Sequence, residues 1–304
     1  MNSMTRLDGK TAVITGATNG IGQVTALELA KQGATVIVVG RSRARVDETV
    51  AMIRQAASPE RVRGEVADLS LMADVRALAA RLNADLPRID LLINNAGAFF
   101  PERETTREGL EMTFALNHMN YFLLTSLLLD KLVASAPARI INVSSDAHKG
   151  ATLDFADLQA QKGYFGFTHY SRSKLMNLYF TYELARRLQA RGIGAEQVAV
   201  NALHPGVVNS GFFRNKRGIV GATILAFMSL VRLTGIMVTP EKGAQTTLYL
   251  ATSDEGGRVT GKYFSNSKMI ESSAASLDTA AAQRLWEMSE AIVEGRPTSQ
   301  PMTV

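Results

Sequence analysis

Residues 11–22, Thr-Ala-Val-Ile-Thr-Gly-Ala-Thr-Asn-Gly-Ile-Gly, decide the fold. The first five are β-branched or apolar, as in a buried strand, and residues 20–32 then follow a helical pattern that Gly33 ends. Gly16, Gly20 and Gly22 let the intervening turn approach a pyrophosphate at the positive N-terminus of the helix. The spacing is Gly-x-x-x-Gly-x-Gly rather than the commoner Gly-x-Gly-x-x-Gly, and a plain loop is the alternative interpretation.

The same alternation of strand and helix patterns continues along the chain. Strands are predicted at residues 11–15, 34–39, 62–66, 91–94, 139–144, 197–203 and 262–264. Helices are predicted at residues 20–32, 44–57, 71–85, 113–133, 170–191, 240–251 and 279–293. The pattern indicates a doubly wound α/β fold, in which helices flank a parallel sheet of about seven strands. No linker interrupts the series, so residues 1–304 are predicted to form one domain, with a helical substrate lid at about 212–238.

Composition excludes several kinds of site. The chain has 304 residues and no cysteine, which rules out disulfides, thiolate catalysis and cysteine-bound zinc. Its four histidines, His118, His148, His169 and His204, include no pair at metal-ligand spacing on one helix, so we expect no metal. A formal net charge of +5, with one short basic cluster at residues 41–45, gives no reason to expect nucleic acid binding.

Two segments of the sequence bear on where in the cell the protein is expected. Residues 1–10 have no apolar core, so we expect no signal peptide there and a cytoplasmic protein. Residues 219–238 are apolar over a length that can span a bilayer, but they include Arg232, Gly221 and Gly235. We expect them to cover an apolar pocket. A weak contact with a membrane surface is the second interpretation, and a transmembrane span is the least favoured.

The end of the second predicted strand indicates the cofactor preference. NAD-specific sites usually place an acidic residue there to bind the ribose hydroxyls, but this chain has Arg41. A carboxylate would repel a 2′-phosphate, whereas an arginine can bind it with two parallel hydrogen bonds. We therefore expect NADP(H) in preference to NAD(H), with Arg43 or Arg45 assisting. After the third strand, Asp68 and Leu69 are placed to pack against the adenine.

Tyr170 and Lys174 are four residues apart, so on a helix they share one face. A phenol ordinarily titrates near ~10, and an ammonium about 4 Å away can lower that pKa by about three units at an effective dielectric of about 20. Such a phenol suits acid–base catalysis. On a solvated helix the same spacing is an ordinary neighbour contact, so the pair needs support from other motifs.

The supporting motifs resemble those of the short-chain dehydrogenase/reductase family, in the family's order. They are residues 15–22, Asn94-Asn95-Ala96-Gly97, Asn117, Ser144-Ser145, Tyr170-x-x-x-Lys174 and Pro205-Gly206. Residues 7–11, 117–125, 239–246, 261–265 and 285–287 are similar to the retinol-dehydrogenase-like branch. The resemblance implies a Rossmann fold and an enzyme that uses NADP(H) on lipophilic alcohols, aldehydes and ketones. The N-terminal membrane anchor of many members of that branch is not expected here.

The resemblance also implies residue roles. Tyr170 would donate the proton in carbonyl reduction and accept it in alcohol oxidation, while Lys174 lowers the pKa of Tyr170 and binds the nicotinamide ribose. Ser145 would polarise the substrate oxygen, and Asn117 would hold a water between Lys174 and solvent. The implied cofactor-binding residues are Gly16, Thr18, Asn19, Gly20, Ile21, Gly22, Arg41, Asp68, Leu69, Asn95, Ala96, Gly97, Tyr170, Lys174, Pro205, Gly206, Val208 and Ser210.

One departure from the family concerns the substrate side. Ser145 and Tyr170 are 25 residues apart, about twice the family's usual separation. The extra segment, residues 147–168, contains four aromatic side chains and is expected to form a wall of the pocket for a small lipophilic carbonyl compound or alcohol. An ordinary loop with aromatic packing is the alternative. We assign no catalytic role to the histidines.

Other interpretations of these motifs remain. A non-catalytic nicotinamide-binding interaction module uses the same fold, because fold does not determine function. A nucleotide-sugar epimerase or dehydratase also uses a Tyr/Lys pair. Homo-oligomers are compatible with the family, which often dimerises through the Tyr170 helix and its neighbour.

Overall fold

A computed structural model of the chain describes residues 7–208 and 237–296. The strands in these ranges are β1 (Thr11–Thr15), β2 (Thr35–Gly40), β3 (Val62–Val66), β4 (Leu91–Asn94), β5 (Ala138–Val143), β6 (Val198–His204), β7 (Val207–Val208), β8 (Met237–Val238), β9 (Lys262–Ser265) and β10 (Lys268–Ile270). The helices are α1 (Gly20–Lys31), α2 (Arg43–Ala56), α3 (Met72–Asp85), α4 (Asn120–Ala134), α5 (Gly166–Ala190), α6 (Pro240–Thr252), α7 (Asp254–Arg258) and α8 (Thr279–Val293). Each predicted helix and strand is present. The helix predicted at residues 113–133 is divided into a short helix, Met112–Phe114, a π-helical segment and α4, and α5 begins four residues before its predicted start.

The main sheet has the order β10-β9-β6-β5-β4-β1-β2-β3. Its seven strands from β9 to β3 are parallel, which confirms the predicted doubly wound sheet. The edge strand β10 was not predicted, and it pairs antiparallel with β9. Between them, Asn266 and Ser267 both have positive φ, 49° and 58°, which produces the tight hairpin.

Side chains alternate between two buried layers along each central strand. In β1, Ala12 and Ile14 pack against α1, α2 and α6, whereas Val13 faces the layer of α3, α4 and α5. Both faces are therefore covered and largely apolar, as expected of a parallel sheet, with buried polar side chains at Asn94, Asn142 and Asn201. A ligand can therefore reach the sheet only beyond the ends of its strands.

A π-helical segment, Ala115–Met119, precedes α4 where the sequence predicted regular helix. The buried Glu111 begins this region, because its carboxylate accepts hydrogen bonds of 2.7 Å from the amides of both Thr113 and Phe114. Asn117 lies within the π-helical segment and is fully buried.

The C-terminal helix α8 packs against α5 and α4 through Trp286. The indole contacts the rings of Phe122 and Phe180 at centroid distances of 5.0 and 5.8 Å. The Arg187 guanidinium lies 4.5 Å from the indole centroid. This helix therefore covers part of the surface of α4 and α5.

The predicted lid at residues 212–238 and the apolar segment at 219–238 lie outside the described residues, except for β8. Within residues 7–208 and 237–296, no helix has the length and apolar character needed to cross a bilayer.

Candidate active site

Four of the predicted motifs follow the carboxyl ends of neighbouring parallel strands. Gly16 follows β1, Asn95 follows β4, Ser145 lies beyond β5, and Pro205 follows β6. Because β1, β4, β5 and β6 are adjacent in the sheet, the topology brings these motifs to one edge. In open α/β sheets, ligands bind at this edge.

The turn after β1 requires glycine at two positions. Gly16 has a φ of +64°, and a Cβ on it would lie 2.8 Å from the Ala96 Cα. A Cβ on Gly22 would lie 2.5 Å from both the Asn95 side-chain nitrogen and the Gly16 carbonyl oxygen. Larger residues would therefore push the turn away from the loop after β4.

The N-terminus of α1 lies in this turn. Asn19 is the N-cap residue, but its side chain caps none of the helix amides. Asn19 is exposed, while Thr18, Gly20 and Ile21 are half-buried. Uncapped amides at the positive end of a helix suit an anion, so the turn fits the pyrophosphate of a nicotinamide dinucleotide.

Arg41 is exposed immediately after β2. Within the described part of the chain, Arg43 pairs with Asp47 at 3.6 Å, whereas Arg41 and Arg45 have no ion-pair partner. The Arg41 guanidinium is therefore available to a phosphate.

The residues predicted to contact adenine differ in exposure. The Asp68 carboxylate is half-buried and accepts hydrogen bonds from the Ser70 amide at 3.1 Å and the Ser70 hydroxyl at 2.7 Å. Leu69 is 4% exposed, and its side chain belongs to the core. Leu69 thus presents no exposed apolar side chain to a ligand.

The loop after β4 is braced against β1 by Asn95. Its side-chain amide donates to the carbonyl oxygens of Thr15 at 2.9 Å and Gly16 at 3.2 Å. The Thr15 hydroxyl accepts hydrogen bonds from the amides of Asn95 and Ala96 at 2.9 and 3.0 Å. Thr15 had no predicted role, yet it holds the two loops together.

Gly97 brings the same loop against Asn117 and Lys174. A Cβ on Gly97 would lie 3.2 Å from Asn117 Oδ1 and 3.5 Å from Lys174 Nζ. The Asn117 amide donates to the Ala98 carbonyl and to the Ser173 hydroxyl, both at 3.0 Å, and its Oδ1 accepts from the Ala98 amide at 2.9 Å. Asn117 is therefore held by protein groups, and its predicted water remains a prediction.

Ser145, Tyr170 and Lys174 meet at the start of α5. The Tyr170 phenol is half-buried and shares a side-chain hydrogen bond with Ser145. Lys174 Nζ lies 5.5 Å from the centroid of the Tyr170 ring and donates to the Val143 carbonyl oxygen at 3.2 Å. The structure thus brings together the three side chains that the spacing and motifs single out.

The pKa values of this group differ from expectation. The spacing predicts a lowered pKa for Tyr170, and this prediction is wrong, because the net shift is upward. Burial raises the pKa of Tyr170 to about 12, against a smaller opposing effect of its hydrogen bond with Ser145. Burial also lowers the pKa of Lys174 to about 8. Loss of hydration disfavours the charged form of each group, the phenolate of Tyr170 and the ammonium of Lys174.

Gly206 has a φ of +87° in the turn after β6. The two residues that follow form β7, whose residues Val207 and Val208 pair in parallel with Met237 and Val238. This pairing places the backbone of Val208 beyond the sheet edge. Ser210 lies outside the described residues.

Phe99 contacts Tyr170, and residues 147–168 add further aromatic side chains nearby in the sequence. The Phe99 ring packs edge-on against Tyr170 at 6.1 Å. Tyr164 donates to the Phe100 carbonyl oxygen at 2.8 Å, which fastens residues 147–168 to the loop that carries Phe99. Phe165 and Phe167 are 69% and 58% exposed, whereas Phe155 is half-buried beneath Arg284. Tyr164 and Phe99 thus connect the segment to the site.

Two histidines without a predicted role flank Ser145. His148 is fully buried and hydrogen-bonds the Ser145 carbonyl oxygen at 2.7 Å through Nδ1. His204 accepts from the Asp146 amide at 3.2 Å. In the sequence, only their positions connected these histidines with the site, since His148 follows Ser145 by three residues and His204 directly precedes Pro205. Among the described residues, no group of three or more His, Asp or Glu side chains can hold a metal ion.

Comparisons with known proteins agree with this geometry. The family profile described as short chain dehydrogenase matches residues 10–218. Retinol dehydrogenase 14 of Mus musculus is 41% identical over 299 residues, covering 94% of this chain and 86% of its own length.

Two solved structures share the fold. An uncharacterised protein from Mycobacterium paratuberculosis has a TM-score of 0.75 and 29% identity, with 96% of each chain covered. A Pseudomonas aeruginosa structure described as the RhlG/NADP active-site complex has a TM-score of 0.68 and 28% identity, with 87% of this chain and 97% of that chain covered.

Proposed function

The chain belongs to the short-chain dehydrogenase/reductase family, and we propose that it is an NADP(H)-dependent oxidoreductase that interconverts a lipophilic alcohol and its ketone or aldehyde. The observation that carries the proposal is the hydrogen bond between Ser145 and Tyr170 beside Lys174. A dinucleotide-binding module without chemistry has no need of a phenol, a hydroxyl and an ammonium around one point.

The cofactor assignment rests on the turn after β1 and on Arg41. The uncapped α1 N-terminus and the two required glycines fit a dinucleotide pyrophosphate, and the exposed Arg41 suits a 2′-phosphate. The Pseudomonas aeruginosa neighbour is described as a complex with NADP, which supports the same choice. When bound, the nicotinamide supplies or accepts the hydride.

Tyr170 is the proton donor in carbonyl reduction. A phenol with a pKa of about 12 stays protonated at neutral pH. An alkoxide developing on the substrate is a much stronger base than the phenolate of Tyr170, so the proton passes to it downhill. Tyr170 therefore protonates the oxygen of a reduced carbonyl group. Alcohol oxidation is the reverse step, in which the phenolate form of Tyr170 accepts the proton.

Ser145 and Lys174 support that transfer. Ser145 Oγ accepts a hydrogen bond from the Ala147 amide at 3.2 Å, which fixes the hydroxyl next to Tyr170. The hydroxyl polarises the substrate oxygen. With a pKa of about 8, Lys174 is largely protonated at neutral pH, and its charge stabilises the phenolate as the phenolate forms.

A lipophilic substrate is the best match to the side of the site that faces residues 147–168. Phe99 packs on Tyr170, and Phe165 and Phe167 are exposed at the start of α5. The name of the mouse relative, retinol dehydrogenase 14, points to retinoids as one lipophilic class to examine.

The proposal is tested by measuring NADPH consumption with aliphatic, aromatic and retinoid aldehydes and ketones. We expect one mole of NADPH to be oxidised for each mole of alcohol formed. A substrate transformed without net NADPH oxidation would indicate an epimerase, which recycles its cofactor. No turnover across the panel, with NADPH still bound, would favour the non-catalytic module.

Arg41→Asp tests the cofactor preference. The new carboxylate repels a 2′-phosphate, so the dissociation constant of NADPH should rise at least tenfold, equivalent to about 1.4 kcal/mol, while that of NADH changes little. Fluorescence titration of both cofactors gives the comparison, with NADH as the internal control. Equal weakening of both cofactors would contradict the assignment.

A further inference from the structure

His148 makes two hydrogen bonds that define its tautomer. Its Nε2 accepts from the Ser273 amide at 3.1 Å. A backbone N–H can only donate, so Nε2 carries the lone pair, and the neutral ring has its proton on Nδ1. That proton is donated to the Ser145 carbonyl oxygen at 2.7 Å. The ring thus connects Ser145 with a residue 125 positions away in sequence.

The surroundings of His148 hold this ring in place. The side chain is fully buried, and the Tyr263 ring packs edge-on against it at 5.2 Å. The backbone amide of His148 also donates to the Ser145 carbonyl oxygen, at 3.1 Å. One carbonyl therefore receives two hydrogen bonds from the same residue, which fixes the turn that presents the Ser145 hydroxyl.

The segment around Ser273 is attached independently to α5. Tyr179 donates to the Ala275 carbonyl oxygen and Tyr182 donates to the Ser272 hydroxyl, each at 2.8 Å. Both tyrosines belong to the helix that also carries Tyr170. Residues 272–275 are thus bonded on one side to the Ser145 turn and on the other to the helix of Tyr170.

We propose that His148 is a positioning residue, and that residues 272–275 are a brace that sets the Ser145 hydroxyl relative to Tyr170. The proposal rests on the proposed function, in which these two groups share the substrate oxygen. Catalytic geometry is sensitive to such placement, since a displacement of about 1 Å can cost about 100-fold in rate. His148 touches no reacting atom and acts through Ser145 alone.

The first experiment is a double-mutant cycle of His148→Phe with Ser145→Ala, using the carbonyl substrate that the wild type reduces fastest. Phenylalanine retains an aromatic ring but makes neither hydrogen bond. We expect His148→Phe to lower kcat about 10- to 100-fold, with the NADPH dissociation constant changed less than about twofold. In the Ser145→Ala background, the same substitution should have almost no further effect on kcat.

Two substitutions at Ser273 test the brace without changing His148. Ser273 has φ −63° and ψ 149°, which proline adopts readily. Ser273→Pro removes the amide proton and places a ring carbon against His148, so kcat should fall as it does in His148→Phe. Ser273→Ala is the matched control, because it keeps the amide and removes a buried hydroxyl with no partner among the described residues. Its kcat should stay within about twofold of wild type.

The outcomes separate this proposal from the proposed function. If Ser145→Ala lowers kcat but His148→Phe has the same effect with and without Ser145, the positioning role is overturned and the function stands. Equal kcat for Ser273→Pro and wild type would overturn the brace. If Ser145→Ala itself leaves kcat unchanged, both proposals fail. Should His148→Phe not fold, as judged by thermal unfolding, the Ser273 pair still decides the question.

Discussion

Lys174→Met should stabilise the cofactor-free protein at neutral pH while abolishing its turnover. Lys174 is 3% exposed, and burial lowers its pKa from 10.5 to about 8. The unfolded chain therefore binds a proton more tightly than the folded protein does. A difference of about 2.5 units corresponds to roughly 3 kcal/mol of lost stability at pH 7. Methionine has a similar length and carries no charge, so it removes this penalty.

One hydrogen bond reduces the expected gain. Lys174 Nζ donates to the Val143 carbonyl oxygen, and such a hydrogen bond contributes about 1 kcal/mol to the free energy of unfolding. The carbonyl keeps longer contacts of 3.4 Å with the Tyr121 hydroxyl and the Asn177 amide, so it is not left without a donor. We therefore expect Lys174→Met to raise the free energy of unfolding by about 2 kcal/mol at pH 7.

The pH dependence identifies the cause. Because the folded pKa lies below the unfolded one, the penalty is fully present below about pH 8, declines as the pH rises from about 8 to 10.5, and is absent above that. At pH 10 the penalty has fallen to about 1 kcal/mol, so most of the gain from Lys174→Met should be lost. Other titratable groups also change the stability between pH 7 and pH 10, but they do so equally in wild type and Lys174→Met, so their effects cancel in the difference between the two proteins.

Urea unfolding of wild type and Lys174→Met at pH 7 and pH 10, without cofactor, measures both effects. Lys262→Met is the matched control, since Lys262 is exposed on β9 and its ammonium stays in water. The control should differ little from wild type at either pH. A variant that is less stable at pH 7, or a gain of equal size at both pH values, would refute the reasoning.

Two further predictions concern packing. Gly22→Ala should weaken NADPH binding and lower the free energy of unfolding by about 1–3 kcal/mol, because its Cβ would lie 2.5 Å from the Asn95 side chain. Gly163→Ala is the control, because its Cβ meets nothing within 4 Å, and it should change neither NADPH binding in a fluorescence titration nor stability in urea unfolding. Trp286→Ala should lower the free energy of urea unfolding by about 3–5 kcal/mol, because the indole packs α8 against Phe122 and Phe180. Leu277→Ala is the control. Leu277 is 61% exposed, so this substitution should change the free energy of unfolding by less than about 0.5 kcal/mol.

The sequence predicted the parts of the site that depend on local spacing. Gly16 and Gly22 are recognisable because a strand–turn–helix pattern surrounds them. Tyr170 and Lys174 are recognisable because one helical turn separates them. The parallel sheet follows from alternating apolar strands and helices, and topology then brings the strand ends together.

The contacts between distant segments could not be predicted in this way. The bond from Ser273 to His148 joins two loops, and neither loop carries a periodic pattern that indicates the other. The raised pKa of Tyr170 depends on burial, which the four-residue spacing does not report. The π-helical segment around Asn117 could not be predicted either, because the apolar pattern of residues 113–133 fits a regular helix.

The most direct test of the central claim compares Tyr170→Phe with wild type in two assays on the same preparations. The first measures NADPH oxidation with a lipophilic aldehyde, and the second measures NADPH binding by fluorescence titration. The phenol is proposed to donate the proton but not to hold the dinucleotide phosphates. We therefore predict that turnover falls at least 1,000-fold, within the range expected for loss of a general acid, while the NADPH dissociation constant changes by less than about threefold. Wild-type turnover by Tyr170→Phe would contradict the account.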